Sequence, residues 1–178
     1  MALLALKPKL YKLKPMSKVI TFSRVYPSYH PRKGQQTDFV GKIWESIYLQ
    51  YPEWLCDHYE ELKPLYSYTG LHGMLPPKHH TIREGHRFKV GDKFSPRVWS
   101  SKPYQSKQIT IAPDIEVKKI WTFQIEGPVY WFDGYAMTLN EIKELANNDG
   151  LTADDFECWF NVKEFDGQVI CWNGALEY

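Results

Sequence analysis

The sequence has no apolar run near the ~20 residues a bilayer-spanning helix needs, so no membrane span is expected. Cysteine is equally scarce: Cys56, Cys158 and Cys171 are odd in number, far apart and without a Cys-x-x-Cys pair. That excludes a disulfide framework and a zinc ribbon and points to a reducing, cytoplasmic setting. The apolar start MALLALKP has its lysines after the apolar residues and no small-residue cleavage site, which argues against a secretory signal. Phosphate-binding loops, GxGxxG turns and GxSxG elbows are all missing, so no cofactor is expected. Net charge is small too: 22 Lys+Arg against 21 Asp+Glu leave +1, which excludes a disordered polyelectrolyte and a uniformly basic nucleic-acid coat.

What is present is apolar and aromatic material. With 178 residues, 43% hydrophobic and 16% aromatic, the chain can close one core of ordinary domain size. Its charge is unevenly placed: residues 1–112 carry a net +10 and residues 113–178 a net −9. Two arrangements follow from this division. Either the molecule is a dipole with a basic face that attracts phosphates, or the complementary halves pair and cancel.

Residues 1–18, with five lysines and two prolines, read as a basic N-terminal arm. The β-branched and aromatic stretch KVITFSRV predicts a strand over 18–25, followed by a Pro- and Gly-containing basic loop. Thr37 is the expected N-cap of a helix running to about Tyr48, with Val40, Ile43, Trp44 and Ile47 at helical spacing. A second short helix is expected before Pro64, then an irregular loop or lid over 66–77. From His79 the pattern turns extended, in the segments HHTIRE, KVGDKFSPRVWSS, KQITIAP and EVKKIWTFQIE. So many short strands predict a barrel or sandwich. Thr138 and Glu141 form a capping box for a helix whose apolar stripe is Leu139, Ile142 and Leu145, and Asn148-Asp149-Gly150 stops it. Thr152 starts another helix with Phe156, Trp159 and Phe160 on its core face, and QVICWNGALEY holds a closing strand.

The densest reactive cluster is Lys78-His79-His80-Thr81-Ile82-Arg83, followed by His86, Arg87, Lys89 and the turn Gly91-Asp92. On a strand, Thr81 and Arg83 share a face, and Lys78 reaches that face from the rim if the strand begins just after it. Arg83 offers a planar fork to phosphate or carbonyl oxygens, while the bland alternative is a charged edge strand that resists pairing. Trp99 and Tyr104, with Arg97 and Lys102 beside them, alternate rings and cations as a base-stacking platform does. No metal site is expected, because adjacent histidines on a strand point apart and no Cys or HExxH partner exists.

The string KHHTIREGHRFKVGDKF resembles the signature of ASCH domains, small relatives of the PUA barrel, in which a Lys-x-x-Thr-x-Arg strand leads through a basic turn into a Gly-Asp turn. The resemblance extends to TFSRVYPSYHPRKGQQTDFVGKIWESI and to MTLNEIKELANNDGLTADDFECWF. It implies an α+β single domain over 19–178, a PUA-like mixed β-barrel with flanking helices, interrupted by an insertion at 50–77. It also implies a barrel-side cleft for RNA or a modified nucleoside or nucleotide, lined by Lys78, Thr81 and Arg83. Some family members deacylate N4-acetylcytidine with the motif Lys and Thr and a later Glu, which gives Lys78 and Thr81 here. Where that Glu belongs, this chain has Tyr135-Ala136, and the nearest acid is Asp133.

The resulting expectation is a binder of RNA or a nucleoside through Lys78, Thr81, Arg83, Trp99 and Tyr104, with Lys89, Arg97 and Lys102 on phosphates. The alternatives are an amidohydrolase using Lys78, Thr81 and Asp133, and a protein-interaction module. Oligomeric state is not legible.

Overall fold

The structure is a computed structural model and describes residues 17–57 and 75–178, with no side-chain description for residues 54–56. In chain order the elements are β1 (Lys18–Phe22), α1 (Phe39–Gln50), α2 (Pro52–Asp57), β2 (His80–Glu84), β3 (Lys93–Trp99), β4 (Gln108–Thr110) and β5 (Ile115–Glu116). There follow β6 (Lys119–Glu126), β7 (Val129–Phe132), β8 (Tyr135–Ala136), α3 (Leu139–Asn148), α4 (Ala153–Trp159) and β9 (Glu164–Cys171). The expected basic arm, the run of the second helix toward Pro64 and most of the expected lid lie outside the described residues.

The mixed α+β class is as expected, but the strands do not close into one barrel. They form two sheets, one ordered β1-β3-β4 with β5 also on β3, the other ordered β2-β9-β6-β7-β8. β1 runs parallel to β3, whose other edge is shared by β4 and β5 at successive stretches. β1 and β2 are therefore edge strands of different sheets. Where a closed barrel would have a ladder between them, the Arg83 side chain donates from Nη2 to the Thr21 carbonyl at 2.8 Å. This leaves an open seam between the two edges. Among the described residues no helix is long and apolar enough to cross a membrane.

The core is aromatic. Phe22 and Phe94 pack edge-on or tilted on Trp172 between the sheets, and Phe123 of β6 packs with Phe156 of α4, which in turn meets Phe160, in a second ring cluster. α1 buries Ile43, Trp44 and Ile47, the face its spacing predicts. The Trp44 indole N–H is satisfied by the Ile111 carbonyl at 2.9 Å, so its burial leaves no orphaned donor.

Three local expectations need correction. The N-cap of α1 is Asp38, held at φ 58, and not Thr37; the Thr37 hydroxyl instead donates to the Ser23 carbonyl at 2.7 Å. The capping box of α3 is present, but Leu139 is 80% exposed, because the first residue after the cap points away from the face carrying Ile142 and Leu145. Residues 129–136, for which no strand is expected from the sequence, form the β7–β8 edge of the larger sheet.

The basic and acidic halves pair at specific points: Arg32 with Asp155 at 2.7 Å and Lys78 with Asp149 at 2.7 Å. The second of these pairs lies at the seam.

Candidate functional site

β2 begins at His80, two residues after Lys78, so Lys78 enters from the end of the strand while Thr81 and Arg83 lie on it. The backbone around Lys78 is fixed from both sides: its N–H donates to the Lys42 carbonyl at 2.9 Å, and the His79 N–H donates to the Asn148 carbonyl at 2.8 Å. Gly150 permits the close approach. It sits at φ 75, and a Cβ there would stand 3.2 Å from both Lys78 Cβ and Lys42 Cδ.

These constraints place Lys78, Thr81 and Arg83 on the wall of one cavity of about 320 Å³ in the seam. β1 contributes Thr21 and Phe22 and the residue after it, Ser23; β3 and its following loop contribute Trp99, Pro103 and Tyr104, and the helical side contributes Phe39, Asp149, Trp159 and Phe160. Five of the residues singled out from the sequence, Lys78, Thr81, Arg83, Trp99 and Tyr104, thus share one space. The Trp99 and Tyr104 rings stand 5.3 Å apart at 50°, and Tyr104 is 88% exposed. Tyr104 adopts φ 62, a strained region for a bulky side chain, at the position that brings its ring over Trp99.

The chemical centre is a buried pair. Lys78 Nζ donates to the Asp149 carboxylate at 2.7 Å and to the Asp149 carbonyl at 2.5 Å, and lies 4.4 Å from the centroid of the Phe39 ring. Burial pushes the Lys78 amine down to about 8, against the charge and hydrogen bond of Asp149, which push it up. Roughly a tenth of it is then neutral at pH 7. For Asp149 burial acts upward, but the Lys78 ammonium and the His80 imidazole outweigh it and hold the carboxyl below its ordinary range. His80 places Nδ1 3.4 Å from that carboxylate and Nε2 2.6 Å from the Tyr178 hydroxyl. The Thr81 side chain makes no hydrogen bond to another described residue and faces the cavity. A weakly basic amine and an uncommitted hydroxyl on one wall are the parts that proton transfer and nucleophilic attack require.

The remaining sequence candidates lie elsewhere. Asp133 does not join Lys78: it occupies the β7–β8 turn at φ 46, where its carboxylate accepts from the Thr122 N–H at 2.7 Å and the Thr122 hydroxyl at 3.1 Å. Lys89 is exposed in the turn closed by its N–H on the Asp92 carboxylate, and Lys102 is exposed in the loop after β3. Arg97, two residues before Trp99, bonds Ser95 and Gln108 at 3.2 Å each and does not line the cavity. None of the three touches the seam directly; all are outside it. Among the described residues no group of His, Cys, Asp or Glu is arranged to hold a metal ion.

Asp149, which the sequence marks only as a helix stop, also lines this cavity and pairs with Lys78. One signal was available: an acid at the C-terminal end of a capped helix opposes the helix dipole, so it calls for a cation. Lys78, 71 positions away, is that cation.

Comparison of the chain with family models, with curated proteins and with solved structures gives no match.

Proposed function

We propose that the seam cavity binds a single nucleobase, either as a modified nucleoside or nucleotide or as an unpaired base of RNA, in an ASCH-like domain whose barrel is left open. The observation that carries this reading is the convergence of Trp99 and Tyr104 with Lys78, Thr81, Arg83 and Asp149 on one cavity. A base needs an aromatic face to stack on and in-plane donors and acceptors at its edge, and this wall offers both. The volume, about 320 Å³, lies at the lower end of small-molecule sites at about 300–1,000 Å³ and suits one base, not a duplex. Arg97 and Lys102 line no part of the cavity but lie close in sequence to the Trp99–Tyr104 rim, and phosphates of a longer ligand are expected to meet them there.

Titration of the full chain with a short single-stranded RNA and with free nucleosides tests the proposal. RNA affinity is expected to fall steeply with salt, and Arg83→Ala and Trp99→Ala are each expected to weaken binding about tenfold or more. No binding of RNA or of any nucleoside at low salt, or wild-type affinity in both variants, contradicts it.

A second reading is favoured by Lys78 and Thr81 together: hydrolysis of an N-acyl group on the bound base. The neutral Lys78 amine takes the Thr81 proton as Oγ1 attacks the acyl carbon. The resulting ammonium returns a proton to the departing exocyclic amine, and water cleaves the acyl ester, restoring the hydroxyl. Asp149, in place of Asp133, holds Lys78 throughout. Cytidine release from N4-acetylcytidine that disappears in Thr81→Ala supports this reading; no release above that variant ends it.

A further inference from the structure

The larger sheet carries a second cavity, of about 340 Å³, on the face opposite Thr81. Thr81 registers with Ile170 and Ile120, so Trp121, the next residue on β6, points to the other side of the sheet. There Trp121, Phe132 and Tyr178 form a corner of rings, with centroids 5.0–5.7 Å apart and planes inclined by 38°, 60° and 82°. Tyr135, 79% exposed, extends the aromatic wall from β8. Ala136 and Met137 complete the wall with three acids, Asp133, Glu141 and Glu144, and among the described residues no Lys, Arg or His lines it.

The state of those carboxylates narrows the ligand. Asp133 accepts from Thr122, and Glu141 accepts from the Thr138 N–H and hydroxyl at 2.7 Å each. Their negative charge remains while their acceptor sites are partly taken. Glu144, one turn along α3 from Glu141, adds a third charge and has no ion pair with another described residue. A compact ammonium or hydrated metal ion needs fresh oxygen acceptors to replace its water. A methylated ammonium has weak hydration, few or no N–H groups to satisfy, and a favourable interaction with ring faces.

We propose that this aromatic, acid-lined cavity binds a trimethylammonium group. The group has two sources, a free small cation of the choline type or a trimethylated lysine side chain, and both present the same head to the rings. The two cavities share no lining residue and the proposal does not rest on the nucleobase reading, although the Tyr178 hydroxyl on this wall bonds His80, which reaches Asp149 of the seam.

Calorimetric and NMR titrations of the full chain test it, with choline set against 3,3-dimethylbutan-1-ol, in which carbon replaces the charged nitrogen. A short trimethyllysine peptide, set against its unmethylated form, provides the second arm. The expected result is binding of at least one cation about tenfold tighter than its counterpart, with the Trp121 indole resonance shifting on binding. The tighter of the two identifies the source. Glu144→Gln, a change at an exposed side chain, is expected to weaken binding several-fold without loss of fold, and Arg83→Ala to leave it unchanged. Equal binding of choline and its neutral counterpart with no preference for the methylated peptide, or saturable shifts that bypass Trp121, would overturn the assignment.

Discussion

Asp149→Asn exchanges the charge opposite Lys78 for a neutral amide of the same shape. Lys78 is 1% exposed, and the substitution removes the carboxylate 2.7 Å from Nζ while leaving the carbonyl at 2.5 Å and the Phe39 ring. Breaking a buried ion pair costs about 3–5 kcal/mol when the surviving charge has no escape. Here it has one. With the amine pushed down to about 8, its charged form is favoured over the neutral one at pH 7 by only about 1 kcal/mol. Without Asp149 the amine sheds its proton, and that difference caps Lys78's share of the loss. Adding one weakened hydrogen bond gives a total of about 1–2 kcal/mol at pH 7. The pH dependence has a definite sign. The folded value lies below the unfolded value of about 10.4, so between them the unfolded chain holds more protons and wild-type stability rises with pH. In D149N that rise begins at lower pH, and the gap between the two proteins narrows by about pH 9.5. Urea denaturation at both pH values reads this directly. A loss near 4 kcal/mol that is the same at both would refute the idea that Lys78 escapes by neutralising.

Gly167 pairs with Glu84 on β2 and Phe123 on β6, and a Cβ there would lie 2.2 Å from the Arg83 carbonyl oxygen. Gly167→Ala should therefore cost about 2 kcal/mol or more in chemical denaturation and weaken nucleobase binding by displacing Arg83; an unchanged midpoint contradicts the packing. Tyr104→Gly relieves the φ 62 strain, so stability should change by no more than about 1 kcal/mol while base affinity drops; intact affinity would remove Tyr104 from the site. Thr138→Ala opens the capping box of α3 and should cost about 1 kcal/mol, with seam binding unaffected, as parallel melts and titrations would show.

Local chemistry was readable in the sequence, and long-range pairing was not. The capping box at Thr138 and Glu141, the N-cap at Thr152 and the core face of α1 depend on residues within a few positions of one another, and all three formed as read. The wall of the site was legible for the same reason: Lys78, Thr81 and Arg83 span six consecutive positions, and strand alternation settles which of them share a face. Trp99 and Tyr104 share the cavity with them, and the alternation of rings and cations marks those two residues without specifying what they face. What could not be read was which strands meet. Short strands such as β4, β5 and β8 carry too few residues to fix their partners, so a barrel and two sheets with a seam have the same local pattern. Asp133 is the acid nearest in sequence to the expected position, yet its side chain closes its own turn on Thr122. The acid that meets Lys78 comes from the end of a helix that lies far along the chain and close in space.

On this reading the seam, and no other surface, receives a base. Chemical-shift mapping of the labelled full chain during titration with a short single-stranded RNA tests it most directly. Signals from Thr81, Arg83, Trp99 and Tyr104 are expected to move together along one saturation curve. Saturable shifts confined to the exposed Lys89 and Lys102, with the four seam residues still, would contradict it.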